Sequence, residues 1–247
     1  MTFSMVGYCP RADQVGIALT SVTIGAGGTC PFYSYGGDIV VVQAYGNQRP
    51  AVVGARALDE GLAMPDVVSR MEASDENFSF RQIGLMRRSG EVYALTGRDA
   101  RPWAGHITGD GFIMMGNVLA GREVIEAMAS AFTERAAETL AERMLAALEA
   151  GRDAGGQRTA DGYHYDERSV LLKVIGDGPD RREVTALDLR VDMHPNAIDE
   201  MRRMFEIYRP VIARRSLRAN NPSNDLATYA WEAENMQANP PPPALRS

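Results

Sequence analysis

The sequence predicts an α+β fold: two mainly antiparallel sheets packed face to face with a helix layer on each outer face, a four-layer α-β-β-α sandwich. Three observations lead there. Helical patterns arrive in pairs, which is incompatible with a simple βαβ alternation. The segments between the pairs are short strands, several joined by hairpin turns. One of them, DIVVVQAYG, is continuously apolar, as a strand covered on both faces requires.

Residues 2–8 (TFSMVGY) mix β-formers with small residues, and 15–23 (VGIALTSVT) follow a proline-containing turn, which predicts a first hairpin. Gly16 and Ala18 share one face of the second strand, so a neighbour packs closely there. The glycine-rich IGAGGTCPFYSYGG reads as a mobile loop leading to the buried strand. The period then changes, and PAVVGARALDEGLAMPDVVSRMEASD reads as two short helices, the second opening at Pro65. FRQIGLMRRSGEVYALTG is a second hairpin turning at Arg88–Gly90. WAGHITG reads as a loop, and GFIMMGNVLAG as a strand that breaks at Gly116 and leads into a helix.

In 122–132 the apolar positions Val124, Ile125, Met128 and Phe132 fall at helical spacing. In 134–150 Leu140, Met144, Leu145 and Leu148 do the same, with Gly151 as the expected stop. SVLLKVIGDG and EVTALDLRVD supply two late strands. HPNAIDEMRRMFEIY is a helix capped at Asn196, with Ile198, Met201, Phe205 and Tyr208 on one face. Beyond Pro210 helical periodicity is lost and the chain ends in a polyproline stretch. The expected organisation is therefore one domain over 1–209 and an extension over 210–247, partly disordered or packed on a neighbouring subunit. Tyr229 and Trp231 favour docking of that extension.

The chain has 247 residues, a 45% apolar fraction, a net charge of −6 and a pI near 5.2. That suits one sizeable core and argues against a nucleic-acid partner held by bulk electrostatics. Lys173 is the only lysine, so a lysine base or Schiff base could only be Lys173. Cys9 and Cys30 are too few for a disulfide framework or zinc site and read as reduced thiols. No secretory leader and no membrane span are expected, which predicts a cytoplasmic protein with no membrane partner.

The motifs TFSMV, VGIAL, VVQAYGN, RQIGLM, WAGHITGDGF, MGNVLAG and DLRVDMHP run from Thr2 to about Phe205. Together they resemble the bacterial family catalogued as domain of unknown function 1028. The element order is also similar to that of the N-terminal nucleophile (Ntn) hydrolases, the group of the proteasome β-subunit and penicillin acylase. The resemblance implies the Ntn-type α-β-β-α fold but no known reaction.

In those hydrolases the first residue of the mature chain supplies a hydroxyl or thiol nucleophile, and its own α-amine is the base. Thr2 meets that requirement once Met1 is removed; equally, threonine is a good residue to begin a strand. Asn117 is the candidate oxyanion donor, or else an asparagine tolerating an unusual backbone in a turn. Ser4, Thr20 and Gln43 are expected to line the pocket, and His106 is assigned to substrate binding. The second strand lacks the aspartate, and the third the lysine, of proteasome-type enzymes. A metal site from His194, Asp192 and another histidine has no spacing to support it, and His194 reads rather as a brace for the adjoining helix. No motif supports a serine–histidine–aspartate triad, and GAGGTC fails the dinucleotide fingerprint. Arg88 and Arg98 read as surface charges able to hold a carboxylate. The expected function is hydrolysis of a small linear amide or other carbon–nitrogen bond, with no metal or cofactor, by a homo-oligomer (dimer or higher). The alternative is a catalytically silent protein of the same fold that binds or assembles.

Overall fold

The computed structural model describes residues 1–176, 185–220 and 226–240. The chain divides into two compact units, Met1–Met201 and Arg202–Ser247. The first unit is mixed α and β with antiparallel sheets.

Its strands are β1 (Thr2–Cys9), β2 (Gln14–Ser21), β3 (Pro31–Tyr33), β4 (Ile39–Ala44), β5 (Arg81–Met86), β6 (Val92–Thr96), β7 (Ala104–Gly109), β8 (Phe112–Asn117), β9 (Gln157–Arg158), β10 (His164–Tyr165), β11 (Ser169–Ile175) and β12 (Thr185–Val191). A six-stranded sheet has the order β12-β11-β2-β1-β8-β7, a four-stranded sheet the order β3-β4-β5-β6, and β9 and β10 form a two-stranded sheet. The helices are α1 (Gln48–Asp59), α2 (Met64–Ala73), α3 (Arg122–Glu134), α4 (Leu140–Asp153) and α5 (Ala197–Asn220), which crosses into the second unit, followed there by α6 (Leu226–Ala238).

Strand alternation decides what each face meets. Val40 and Val42 of β4, with Ile83 and Leu85 of β5, pack under Ala51, Leu58, Val67 and Met71 of α1 and α2. The other faces of the two sheets meet each other through Val6, Ile17, Leu19, Ile39, Val41, Met86, Ile113, Met115 and Leu171. Each such side chain contributes about 1.5–3 kcal/mol by leaving water. The outer face of the six-stranded sheet is covered by α3 and α4, whose Phe132 and Met144 lie against Gly7 and Gly16. A Cβ on Gly16 would sit 2.5 Å from Met144 Cε, so the close approach expected at this face is real.

Local signals explain the helix starts. Asn47 Oδ1 accepts the Arg49 N–H at 3.1 Å ahead of α1, and Pro65 sits in the first turn of α2. Thr139 Oγ1 accepts the Glu142 N–H at 3.3 Å ahead of α4.

Several expectations change. WAGHITG is not a loop: it contains β7, an edge strand, and His106 stands on it. β8 does not break at Gly116 but continues through Asn117. Gly151 does not stop α4; it is buried inside the helix, where a Cβ would lie 2.8 Å from Met128 Cγ. The glycine-rich loop is a packed turn with Ala26 and Gly27 buried, Gly27 lying against Leu171. Arg88 is no surface charge, because its guanidinium donates to Ile175 O (2.9 Å) and Asp13 O (2.8 Å).

The second unit also differs from expectation. The helix begun at Ala197 runs through Pro210 to Asn220, and Leu226–Ala238 is helical without an apolar stripe. Its alanine, glutamate, methionine and glutamine content carries high helix propensity, which periodicity alone does not register. The Arg214 guanidinium stacks 4.3 Å over the Trp231 ring. The Tyr229 side chain and the polyproline stretch from residue 241 lie outside the described residues. Among the described residues no helix is long and apolar enough to cross a membrane.

Candidate functional site

The space between the two sheets changes character along its length. On its inner face β2 runs Val15, Ile17, Leu19 and then Ser21; β8 runs Ile113, Met115 and then Asn117; β4 runs Ile39, Val41 and then Gln43. β1 opens with Thr2 and Ser4 before Val6, and β11 opens with Ser169 before Leu171. These five strands turn polar at the same end. Burying polar groups costs free energy unless each finds a partner, so this end is built around a network.

The register sets a lateral row on the six-stranded sheet: Ser169 opposite Ser21, Ser21 opposite Thr2, Thr2 opposite Asn117. All four are buried. The Thr2 and Ser21 hydroxyl oxygens are 3.1 Å apart. Ser21 donates its own proton to Met1 O at 2.7 Å and accepts the Thr23 N–H at 3.0 Å, so the Thr2 hydroxyl is the donor in their bond.

The four-stranded sheet opposes this row with Gln43, Gln82 and Thr96, again in lateral register. Ser4 Oγ donates to Gln43 Oε1 at 2.7 Å, and Gln43 Nε2 donates to Gln82 Oε1 at 2.8 Å. Asn117 Nδ2 donates to the same Gln82 oxygen at 3.2 Å and to Thr2 O at 3.4 Å. Gln82 Nε2 in turn faces Thr96 Oγ1 (3.0 Å), Gly105 O (2.9 Å) and Gly116 O (2.9 Å). Thr96 Oγ1 lies 2.8 Å from His106 Nδ1, a bond in which a neutral ring accepts or donates according to its tautomer. Burial lowers the His106 pKa, which agrees with that neutral form.

The geometry sorts the sequence-predicted residues. Thr2, Asn117, Ser4, Gln43 and His106 all join this network. Thr20 does not. It pairs with Phe3 on the helix-covered face, is fully buried there, and donates to Ser169 O at 3.0 Å. The physical reason is strand alternation: Gly16, Ala18 and Thr20 share one face, so Ser21 is the β2 residue that turns toward Thr2. Asn117 is an ordinary strand residue; the unusual backbone belongs to Val118, a β-branched residue at φ 55°. Its N–H donates to Arg101 O at 3.3 Å and its carbonyl accepts the Arg158 N–H at 2.9 Å. Such a conformation costs about 1–3 kcal/mol and gathers at functional positions.

Sequence reasoning missed Ser21 as the inward residue, Gln82 as the hub, Thr96 as its link to His106, and Arg101. The continuation of the Val15, Ile17, Leu19 alternation would have found Ser21. Nothing local marks Gln82.

Above Met1 lies a cleft of ≈ 350 Å³, lined by Met1, Arg101, Val118, Thr159, Asp161 and Tyr165 among others. Burial is the main cause of a lowered pKa at the Met1 α-amine; Cys30 opposes the shift and Arg101 adds to it. Lys173 is committed elsewhere, 2.9 Å from Asp188. His194 Nδ1 accepts the Asn196 N–H at 3.1 Å and so braces the start of α5. Among the described residues no three His, Cys, Asp or Glu side chains gather as a metal site.

Residues 2–201 match the model described as a family of unknown function (DUF1028). The crystal structure of a Silicibacter pomeroyi protein, described by that same family model, is similar at 27% identity and a TM-score of 0.72, over 84% of this chain and 85% of that one. No curated protein matches the chain.

Proposed function

The chain belongs to the DUF1028 family of unknown function, and we propose that it hydrolyses a small linear amide or related carbon–nitrogen bond with Thr2 as its N-terminal nucleophile. In this reading the two facing sheets and their outer helices form the four-layer α-β-β-α sandwich of the Ntn hydrolases. The observation that carries it is the placement of Thr2: first residue of a central strand, hydroxyl 3.1 Å from Ser21, at the polar end of the inter-sheet space.

Removal of Met1 makes the Thr2 nitrogen an α-amine and leaves the Ser21 hydroxyl without the Met1 carbonyl it bonds at 2.7 Å. Thr2 Oγ1 attacks the amide carbonyl while the α-amine takes its proton. The carbon–nitrogen bond then breaks, and the leaving amine departs with that proton. Water, deprotonated by the same amine, cleaves the resulting ester and restores Thr2. Asn117 Nδ2, which bonds Thr2 O at 3.4 Å and Gln82 Oε1 at 3.2 Å, is the side-chain donor that turns one of these N–H groups to a developing oxyanion. The Ser4–Gln43–Gln82 network holds this end of β1 in place. The chemistry requires no metal or cofactor, and its partners are a small-molecule substrate and further copies of the chain as a homo-oligomer.

The second reading is a silent binding or assembly protein that keeps Met1. Its support is the bond from Ser21 to Met1 O, which makes Met1 part of the network. Intact mass of the natively expressed chain separates the two readings, since complete retention of Met1 excludes an N-terminal threonine mechanism. With Met1 absent, Thr2→Ala is expected to abolish turnover in an amide-library screen and leave the circular dichroism spectrum unchanged. Turnover equal to wild type would reject Thr2.

A further inference from the structure

The cleft over the N-terminus carries an arginine beside Met1. Arg101 lines it, exposed, and its guanidinium makes no hydrogen bond or ion pair among the described residues. An exposed arginine is ordinarily just a solvated charge, but three features set this one apart. Its backbone is held: Arg101 O accepts the Val118 N–H at 3.3 Å, which fixes the residue next to Asn117, itself opposite Thr2 in the sheet. Its guanidinium lies close enough to act on the Met1 α-amine, so the charge stands near the first residues of the chain. Asp161, the carboxylate in the same cleft, makes no ion pair with Arg101 and accepts the Thr159 hydroxyl within its own loop. A guanidinium without a partner at a concave space is paired by an anion arriving from outside.

We propose that Arg101 is the carboxylate anchor of this cleft, so that the substrate is an amide carrying a carboxylate held by the guanidinium beside Thr2. The inference rests on the amide-hydrolase reading for the reaction, but the anchor itself is a binding property and stands on its own. Guanidinium presents a planar fork to a carboxylate, which gives orientation as well as attraction. A carboxylate gripped on the Arg101 wall positions the rest of a short molecule over the end of β1. Charge pairing at the mouth of a cleft also weakens with salt, which provides an independent signature.

The test uses the full chain, its N-terminus defined by intact mass, with N-acetylglycine, N-acetyl-β-alanine and the methyl ester of each. The acid and ester differ only in the charge that Arg101 would read. The expected result is a kcat/KM preference for at least one acid over its ester of about tenfold or more, typical of a charge-assisted pair. That preference should fall to near unity in Arg101→Gln and be partly kept in Arg101→Lys. An acid preference of the same size in wild type and Arg101→Gln would overturn the proposal.

If no amide is turned over, the hydrolase reading fails, and calorimetric or NMR titration of the same compounds decides the anchor separately. Saturable binding of an acid but not its ester, lost in Arg101→Gln and weakened by salt, sustains it. Equal behaviour of acid and ester, including no binding by either, overturns it. Circular dichroism of both variants verifies the fold, which the exposed side chain at Arg101 does not support.

Discussion

Ser21 stands between the two first residues of the chain: it accepts the Thr2 hydroxyl at 3.1 Å and donates to the Met1 carbonyl at 2.7 Å. Removing this hydroxyl strands buried groups on either side. Ser21→Ala is expected to cost about 1–3 kcal/mol, read from the urea midpoint. In the processed chain it should also lower amide turnover, because Thr2 Oγ1 loses the bond that orients it. An unchanged midpoint and unchanged turnover together would remove Ser21 from the site.

Gln82 is the hub between the sheets. Its side chain accepts from Gln43 and Asn117 and faces two backbone carbonyls and the Thr96 hydroxyl. Gln82→Leu keeps the volume roughly but leaves several groups buried without partners. At about 1–3 kcal/mol for each stranded group, a loss of at least about 3 kcal/mol is expected in chemical denaturation. Thr96→Val removes only one link and should cost less than half as much.

His106 gives the network a pH dependence. Its Nδ1 hydrogen-bonds Thr96 Oγ1, and burial lowers its pKa from the ordinary 6.5. The unfolded chain then binds the proton more readily than the folded one, so its contribution is fully present above about pH 6.5. It is lost as pH falls from there toward the lower folded-state value. Denaturation midpoints of wild type and His106→Gln between pH 5 and 8 should show a slope in the first and a weaker one in the second; parallel curves would reject the assignment.

Gly16 is the contact of β2 with α4. A Cβ there would meet Met144 Cε at 2.5 Å and the Lys173 carbonyl oxygen at 2.9 Å. Methionine can swing away, but the backbone of β11 cannot without shifting its ladder. Gly16→Ala is expected to cost about 1–3 kcal/mol as overpacking. Adding Met144→Ala should recover only part of that, which thermal unfolding of the single and double variants measures.

Much of the scaffold was legible because it is written in local periods. The alternation of Ile39, Val41 and Gln43 against Val40 and Val42, and the helical spacing of Val124, Ile125, Met128 and Phe132, require no knowledge of partners. β7 was hidden because AGHITG carries two glycines and occupies an edge, where neither face demands an apolar run. The misplaced Thr20 shows a signal that was available: Gly16 and Ala18 already defined its face. Gly151 shows one that was ambiguous, since a glycine near a helix end serves equally as a stop or as a point of close packing.

The sequence by itself determined most of the strands and the paired helices, and it singled out Thr2, Ser4, Gln43 and Asn117. Those are properties of period and residue type, which act over a few residues. Only the tertiary structure decided that Gln82 joins Gln43 to Asn117, that Thr96 reaches His106, and that Arg101 faces the cleft over Met1. Each of these depends on how one sheet registers against another, or on a loop fastened to a distant strand end. Such pairings are set by the packing of the whole core, and no short stretch of sequence encodes them.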